Sequence, residues 1–183
     1  YSPRMAPPDS ATRTPGRSSA PDALAAPRAF VAPPTHGASV ALGGDVYRVV
    51  ARSEDTGGTL MLIDARVFPG GGPPMHVHSR EDESFFVLEG EVTFFTADGP
   101  VRAGPGTFLH LPKGVPHAFR NETATPARML FWCTPAGFER MLDAVGAAPW
   151  PDATVAPPMP TDAQKALIAA ECPKFGITFV KPG

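Results

Sequence analysis

From Asp45 to Thr134 the chain is a run of short segments rich in Val, Ile, Phe and Thr, each closed by a turn that carries glycine or proline. That punctuation leaves no room for a long helix. It predicts strands at Asp45–Arg52, Thr59–Val67, Ser84–Leu88, Glu91–Thr96, Thr107–Leu111, His117–Asn121 and Ala127–Cys133, at the spacing of an antiparallel sandwich or barrel. Glu89–Gly90 and Asp98–Gly99 are explicit turns, because glycine after an acidic residue accepts the positive φ such turns need. The 18 glycines and 24 prolines among 183 residues fit a turn-rich all-β chain better than a helical bundle.

The flanks differ in character. Residues 1–34 are rich in Pro, Ala, Ser and Arg and read as a flexible arm, in which Leu24, Phe30 and Val31 are candidates to dock on a sheet edge or a second subunit. Residues 35–134 form the barrel, and 135–183 hold helices, a proline-rich linker and a closing edge strand. One helix is expected to start with Thr134 as N-cap and Pro135 in its first turn, burying Phe138, Met141, Leu142 and Val145. A second is expected from Thr161, with Gln164 completing a capping box and Leu167 and Ile168 packed on the barrel. The linker runs from Pro149 to Pro160, and Phe175–Val180 reads as the last strand.

Sixteen basic against 18 acidic residues give a net charge of −2, with no basic stripe to bind nucleic acid. No segment approaches the roughly 18 apolar residues of a membrane span, and the arm lacks the continuous apolar stretch of a secretory signal. Cys133 and Cys172 have no metal or redox spacing and read as free core thiols, which suits a reducing, cytoplasmic location.

The chemistry-bearing residues are few. The chain has five histidines, and two of them form His76–Val77–His78. On a strand, positions i and i+2 share a face, so both imidazoles can reach one point inside a barrel. Glu83 enters the neighbouring strand and can add a carboxylate oxygen there. These three donors approach the 2-His-1-carboxylate set of metal oxygenases. His117 follows Pro112–Lys113–Gly114–Val115–Pro116, whose prolines and glycine pin its backbone. His110 reads as a structural histidine, and His36 lies in the arm with no assigned role. Arg80–Glu81–Asp82 reads as a solvated turn, and Trp132 and Trp150 as packing residues.

These spacings resemble the cupin superfamily. Gly70, His76, His78, Glu83 and Gly90 meet every interval of its first motif, and Gly106, Pro112, Gly114, His117 and Asn121 those of its second, with 15 residues between them. The likeness extends over roughly 45–134 and implies an all-β cupin jelly-roll barrel with a flexible N-terminal arm and one or two C-terminal helices. It also implies one divalent metal ion per chain on His76, His78, Glu83 and His117: iron, nickel, cobalt, manganese or copper for redox chemistry, zinc otherwise. Within the superfamily the chain is similar to single-domain, quercetin dioxygenase-like bacterial cupins, whose relatives in specialised metabolism suggest a small enolic or phenolic substrate and dioxygen. Glu83 is then the candidate general base. Period-2 counting from Glu83 nominates Phe85 as a pocket residue, and Phe119 shares the face of His117. Phe131 joins them, although the phenylalanines read as core first and pocket second. Met75 before the first ligand and Met61 or Ile63 on a facing strand are candidates to narrow the cavity mouth. The same ligands would serve a non-redox isomerase, cyclase or lyase, or a binding or sensing protein without turnover. A homodimer paired through edge strands is expected from the resemblance.

Overall fold

The computed structural model describes residues 28–181. Residues 1–27 of the expected arm, with Leu24, lie outside that range. Arg28–Pro34 is irregular and, apart from half-buried Ala32, exposed; Phe30 and Val31 join no sheet, and the Phe30 ring meets His36 edge-on at 5.4 Å. Arg48 ties this approach down by donating to the carbonyls of Pro34 and His36 at 3.1 and 2.9 Å.

The strands are β1 (Ser39–Leu42), β2 (Asp45–Ala51), β3 (Met61–Val67), β4 (His76–His78), β5 (Asp82–Glu89), β6 (Val92–Thr96), β7 (Gly99–Ala103), β8 (Phe108–Leu111), β9 (Ala118–Arg120), β10 (Ala127–Thr134), β11 (Ala148–Pro149) and β12 (Ile177–Phe179). The helices are α1 (Ser53–Thr56), α2 (Glu139–Ala144) and α3 (Asp162–Glu171). One antiparallel sheet runs β11-β1-β2-β3-β10-β5-β8, a second runs β7-β6-β9, and β12 pairs with β4 alone. The predicted strands are all present, shifted at most by two residues at their ends. β1, β7 and β11 were not anticipated.

The two larger sheets close on a core read directly from alternation. Along β3 every second residue is buried, and Met61, Ile63, Ala65 and Val67 are fully enclosed. Phe85 on β5 meets Phe94 on β6 at 4.9 Å and Phe119 on β9 at 5.7 Å, so aromatic rings fasten one sheet to the other. On the outer face Asp64 accepts from Arg48 at 2.7 Å and from Arg128 at 2.8 Å, pinning the register of β2, β3 and β10.

Gly72 is required by the close approach of chains: φ is +118°, and a Cβ would fall 2.0 Å from the Phe119 carbonyl oxygen. Asn121 shows why the second motif ends on asparagine. Fully buried, its amide donates to the carbonyls of Val67 and Thr125, and its oxygen accepts from Thr123, replacing ladder bonds where β9 ends.

The first C-terminal helix begins later than expected. Thr134 stays in β10, paired with Asp82, and α2 starts at Glu139. The buried Glu139 carboxylate accepts from the backbone of Ser53 and Gly137 at 2.9 and 3.0 Å and so fixes the helix entrance. Met141, Leu142 and Val145 are buried as expected. The second helix does start at Thr161 with its capping box to Gln164. It presents only Ile168 to the core, while Leu167 is exposed, because the helix lies over the barrel mouth along a narrow stripe. The expected closing strand is β12. No helix of the described residues is long and apolar enough to cross a membrane.

Candidate metal centre

Four donors converge where the two motifs meet. His76 and His117 exchange both backbone hydrogen bonds at 2.9 Å, an antiparallel bridge that sets the two side chains on one face. The Gly114 N–H donates to the His78 carbonyl at 2.7 Å, so the proline-glycine turn of the second motif is stitched to the strand of the first. Glu83 sits on β5 between Cys133 and Leu111. The result is His76, His78, Glu83 and His117, all buried, each offering one donor atom within 4.8 Å of the others.

The orientation of the rings decides what this cluster can hold. His76 donates through Nδ1 to the Pro74 carbonyl at 2.9 Å, and His117 through Nδ1 to the Val115 carbonyl at 3.0 Å. His78 turns Nδ1 toward the Glu81 carboxylate at 3.5 Å. With every Nδ1 engaged outward, the three Nε2 lone pairs face inward. The Nε2 atoms of His76 and His78 are 3.1 Å apart, and Glu83 Oε2 lies 2.9 Å from His117 Nε2 and 3.5 Å from His78 Nε2. Lone pairs this close repel unless a cation lies between them, and such spacings match adjacent corners around an ion with bonds of about 2.1 Å. The donor set therefore fits a divalent metal.

Electrostatics agree. Burial holds His76 down to a pKa of about 4, helped by the neighbouring His117 and His78, so its imidazole is neutral. Burial also works against charge on His78, but the bond to Glu81 and the charge of Glu83 outweigh it and raise its pKa. Glu83 is pushed up by burial and down by His117, His78 and His76, with a net fall below the ordinary carboxylate range. It stays an anion, as a ligand must.

Glu81 is the residue the sequence reading misplaced. It does not belong to a solvated turn: its side chain is buried, and only Arg80 of that triplet is exposed. A glutamate three residues after a ligand histidine is the signal that would have found it. His110 accepts or donates one bond with Ser84 at 2.9 Å, away from the cluster, as expected of a structural histidine.

The pocket lies elsewhere than the sequence placed it. A cavity of about 470 Å³ opens between the barrel mouth and the C-terminal segment. His76 is the metal-cluster residue on its wall, and of the expected pocket residues Phe119 and Phe131 also line it. Met61, Ile63 and Phe85 do not. They are fully enclosed, because the aromatic cluster already fills the barrel at their level. Met75 is half-buried outside the cavity and spends its carbonyl on the Val180 N–H at 3.0 Å. The remaining walls come from segments far apart in sequence: Asp45 and Tyr47 of β2, Phe138 before α2, Ile168 of α3 and Phe179 of β12. Cys133 and Cys172 are both free and buried.

Residues 64–133 match the family described as a cupin domain. The chain is 31% identical over 78 residues to quercetin 2,3-dioxygenase of Bacillus subtilis, across 43% of this chain and 23% of that protein. It is 32% identical over 129 residues to the rhicadhesin receptor of Pisum sativum, across 67% of this chain and 55% of that one. The matches thus span from about a quarter to just over half of these relatives' length. Among solved structures, a predicted oxalate decarboxylase from Thermotoga maritima superposes with a TM-score of 0.54 at 17% identity, covering 57% of this chain and 98% of that one, a likeness of fold.

Proposed function

We propose, from the premise that this chain is a cupin-superfamily member resembling the quercetinase-like cupins, that it is a metal-dependent enzyme acting on a small, largely apolar substrate through an enolic or phenolic oxygen, with dioxygen as the second reactant. The observation that carries the reading is the buried three-histidine, one-carboxylate cluster whose Nδ1 atoms are all engaged outward and whose His76 forms part of an apolar cavity wall. The likeness to a quercetin 2,3-dioxygenase, confined to 78 residues, supports the oxygen-dependent form.

In this reading His76, His78, Glu83 and His117 hold the ion. A redox-active divalent metal supplies Lewis acidity toward a substrate oxygen and electron exchange with dioxygen. The protein does the rest. Phe119, Phe131 and Phe138 present flat apolar surface that orients a ring or enol plane and excludes water. The buried Glu83 carboxylate balances part of the ion's charge inside a site with little solvent.

Elemental analysis of protein purified without a nickel column tests the reading. The expected result is close to one equivalent of iron, nickel, cobalt, copper or manganese, lost in His117→Ala, with oxygen uptake on adding enolic or phenolic compounds. Zinc with oxygen-independent turnover would replace the dioxygenase by an isomerase, cyclase or lyase. No metal, and none taken up on titration, would overturn the enzyme reading altogether.

A further inference from the structure

Asp45 and Tyr47 are buried oxygen-bearing side chains of the cavity wall that the metal cluster does not account for. They stand at i and i+2 on β2, so their side chains share a face, and both reach the cavity wall that His76 also forms. Asp45 is 1% exposed and Tyr47 is 8% exposed. The chain is built around this carboxylate: its Oδ1 accepts from the Phe68 N–H at 3.0 Å, and a Cβ on Gly71 would fall 2.0 Å from the same oxygen. The Tyr47 hydroxyl donates to Asp45 Oδ2 at 3.4 Å. With its hydrogen committed there, the lone pairs of Tyr47 remain for a donor entering the cavity. Its ring is held edge-on to Phe131 at 6.1 Å.

We propose, resting on the function above, that these two residues form a proton relay for the substrate: a substrate hydroxyl gives its proton to the Tyr47 oxygen while the Tyr47 hydroxyl passes its own to Asp45. The balance is simple. The substrate O–H breaks as a new Tyr47 O–H forms. The original Tyr47 O–H breaks as the Asp45 carboxylate becomes the acid, and the negative charge is left on the substrate oxygen. Reversal on product release restores both groups. Tyr47 touches the substrate and is the catalytic member; Asp45 acts through it, positioning the hydroxyl and holding the proton. Glu83, the base expected from sequence, does not line the cavity, whereas these residues do.

The surroundings suit the task. Burial pushes the Asp45 carboxyl up to about 7, against the opposing bonds from Phe68, Gly72 and Tyr47, so it exchanges a proton near neutrality. Burial, then the charges of Asp45 and Glu83, hold Tyr47 well above its ordinary value, so it stays protonated and only hands protons on. The other titratable groups around the cavity are His76 on β4, Lys165 on α3 and the Cys172 thiol after α3, which burial pushes up and so keeps protonated; Leu42 at the end of β1 and Gly43 after it carry no charge.

A proton inventory on the zinc-loaded full chain tests the relay, with catechol as the probe and calorimetry in buffers of different ionisation enthalpy. At about pH 8, above the Asp45 titration, catechol is neutral in solution and Asp45 is charged. Wild type should bind catechol with almost no proton release, because Asp45 keeps the proton. Tyr47→Phe and Asp45→Asn should each release about one proton per catechol and bind about tenfold more weakly, with zinc content unchanged. Both substitutions are near-isosteric, and Asp45→Asn retains the oxygen that Phe68 bonds. Equal proton release by all three proteins, or a change in only one variant, would overturn the relay while leaving the metal reading intact. Catechol binding that survives in His117→Ala, or no catechol binding by any protein, would overturn the functional reading itself.

Discussion

The barrel and the C-terminal cap are held together in different ways, and the metal strand belongs to both. In the barrel, Phe85, Phe94, Phe119 and Phe131 interlock with no appreciable exposure, and neighbouring strands share ladders of up to seven residue pairs. In the cap, α3 buries no residue fully and attaches through Ile168, while β12 adds only three residues of pairing. Yet β12 pairs with β4 itself, Ile177 opposite His78 and Phe179 opposite His76. Two of the four ligands thus sit on a strand whose ladder partner is only three residues long. Elsewhere β4 is held by the bridge to His117 and by the Gly114–His78 bond. The lesson is that stability and site geometry are drawn from separate parts of the molecule.

The sharpest test of that separation is Phe85→Ala. Removing a fully enclosed ring that touches three others should cost about 3–5 kcal/mol of unfolding free energy, read from urea denaturation of the metal-free protein. A cost below about 1 kcal/mol would mean that the cap carries far more of the fold than its contacts suggest.

Deleting residues 177–181 should do the opposite. The barrel keeps its aromatic cluster and loses Ile177 from the rim of the core, so the metal-free melting temperature should fall by less than in Phe85→Ala. Zinc affinity, measured against a competing chelator, should fall by about ten- to a hundredfold, the usual result of loosening the support of a ligand. Unchanged affinity would show that the His117 bridge alone sets β4, and the cap would then serve the cavity only.

The same division explains what could be read without a structure. The ligands were legible because their geometry is local: His-x-His on a strand, and a histidine pinned by Pro112, Gly114 and Pro116. The strands were legible because one face of each is buried, which imposes alternation. The cavity was not, since its walls run from Leu42 to Phe179 and no period links a residue of β2 to one of α3. Met61, Ile63 and Phe85 carried the right inward phase but sit where the barrel is already full. Thr134–Pro135 is a strong local helix start, overruled by the pairing of Thr134 with Asp82. Glu81 was hidden by its neighbours, since a charged triplet reads as solvated on average while one member can turn inward.

Glu81 also gives the smallest of these effects and the one whose sign is most informative. Its carboxylate lies 3.5 Å from His78 Nδ1, both side chains being almost wholly buried. Through that contact it orients the ring and adds electron density to the Nε2 lone pair. Glu81→Gln keeps the shape and an acceptor oxygen but removes the charge. Metal affinity at mildly alkaline pH should therefore fall by about tenfold, the low end of what such substitutions cost. Protons compete for the same nitrogen. In the wild type Glu81 and Glu83 raise the His78 pKa against the effect of burial, so protonation displaces metal at a higher pH than it would from an unassisted imidazole. Without Glu81 that competition weakens, and the affinities of the two proteins should converge as the pH is lowered. A constant ratio across the range would mean that Glu81 only fills space beside His78, and the cap-side strand would then owe its geometry to β12 and the His117 bridge.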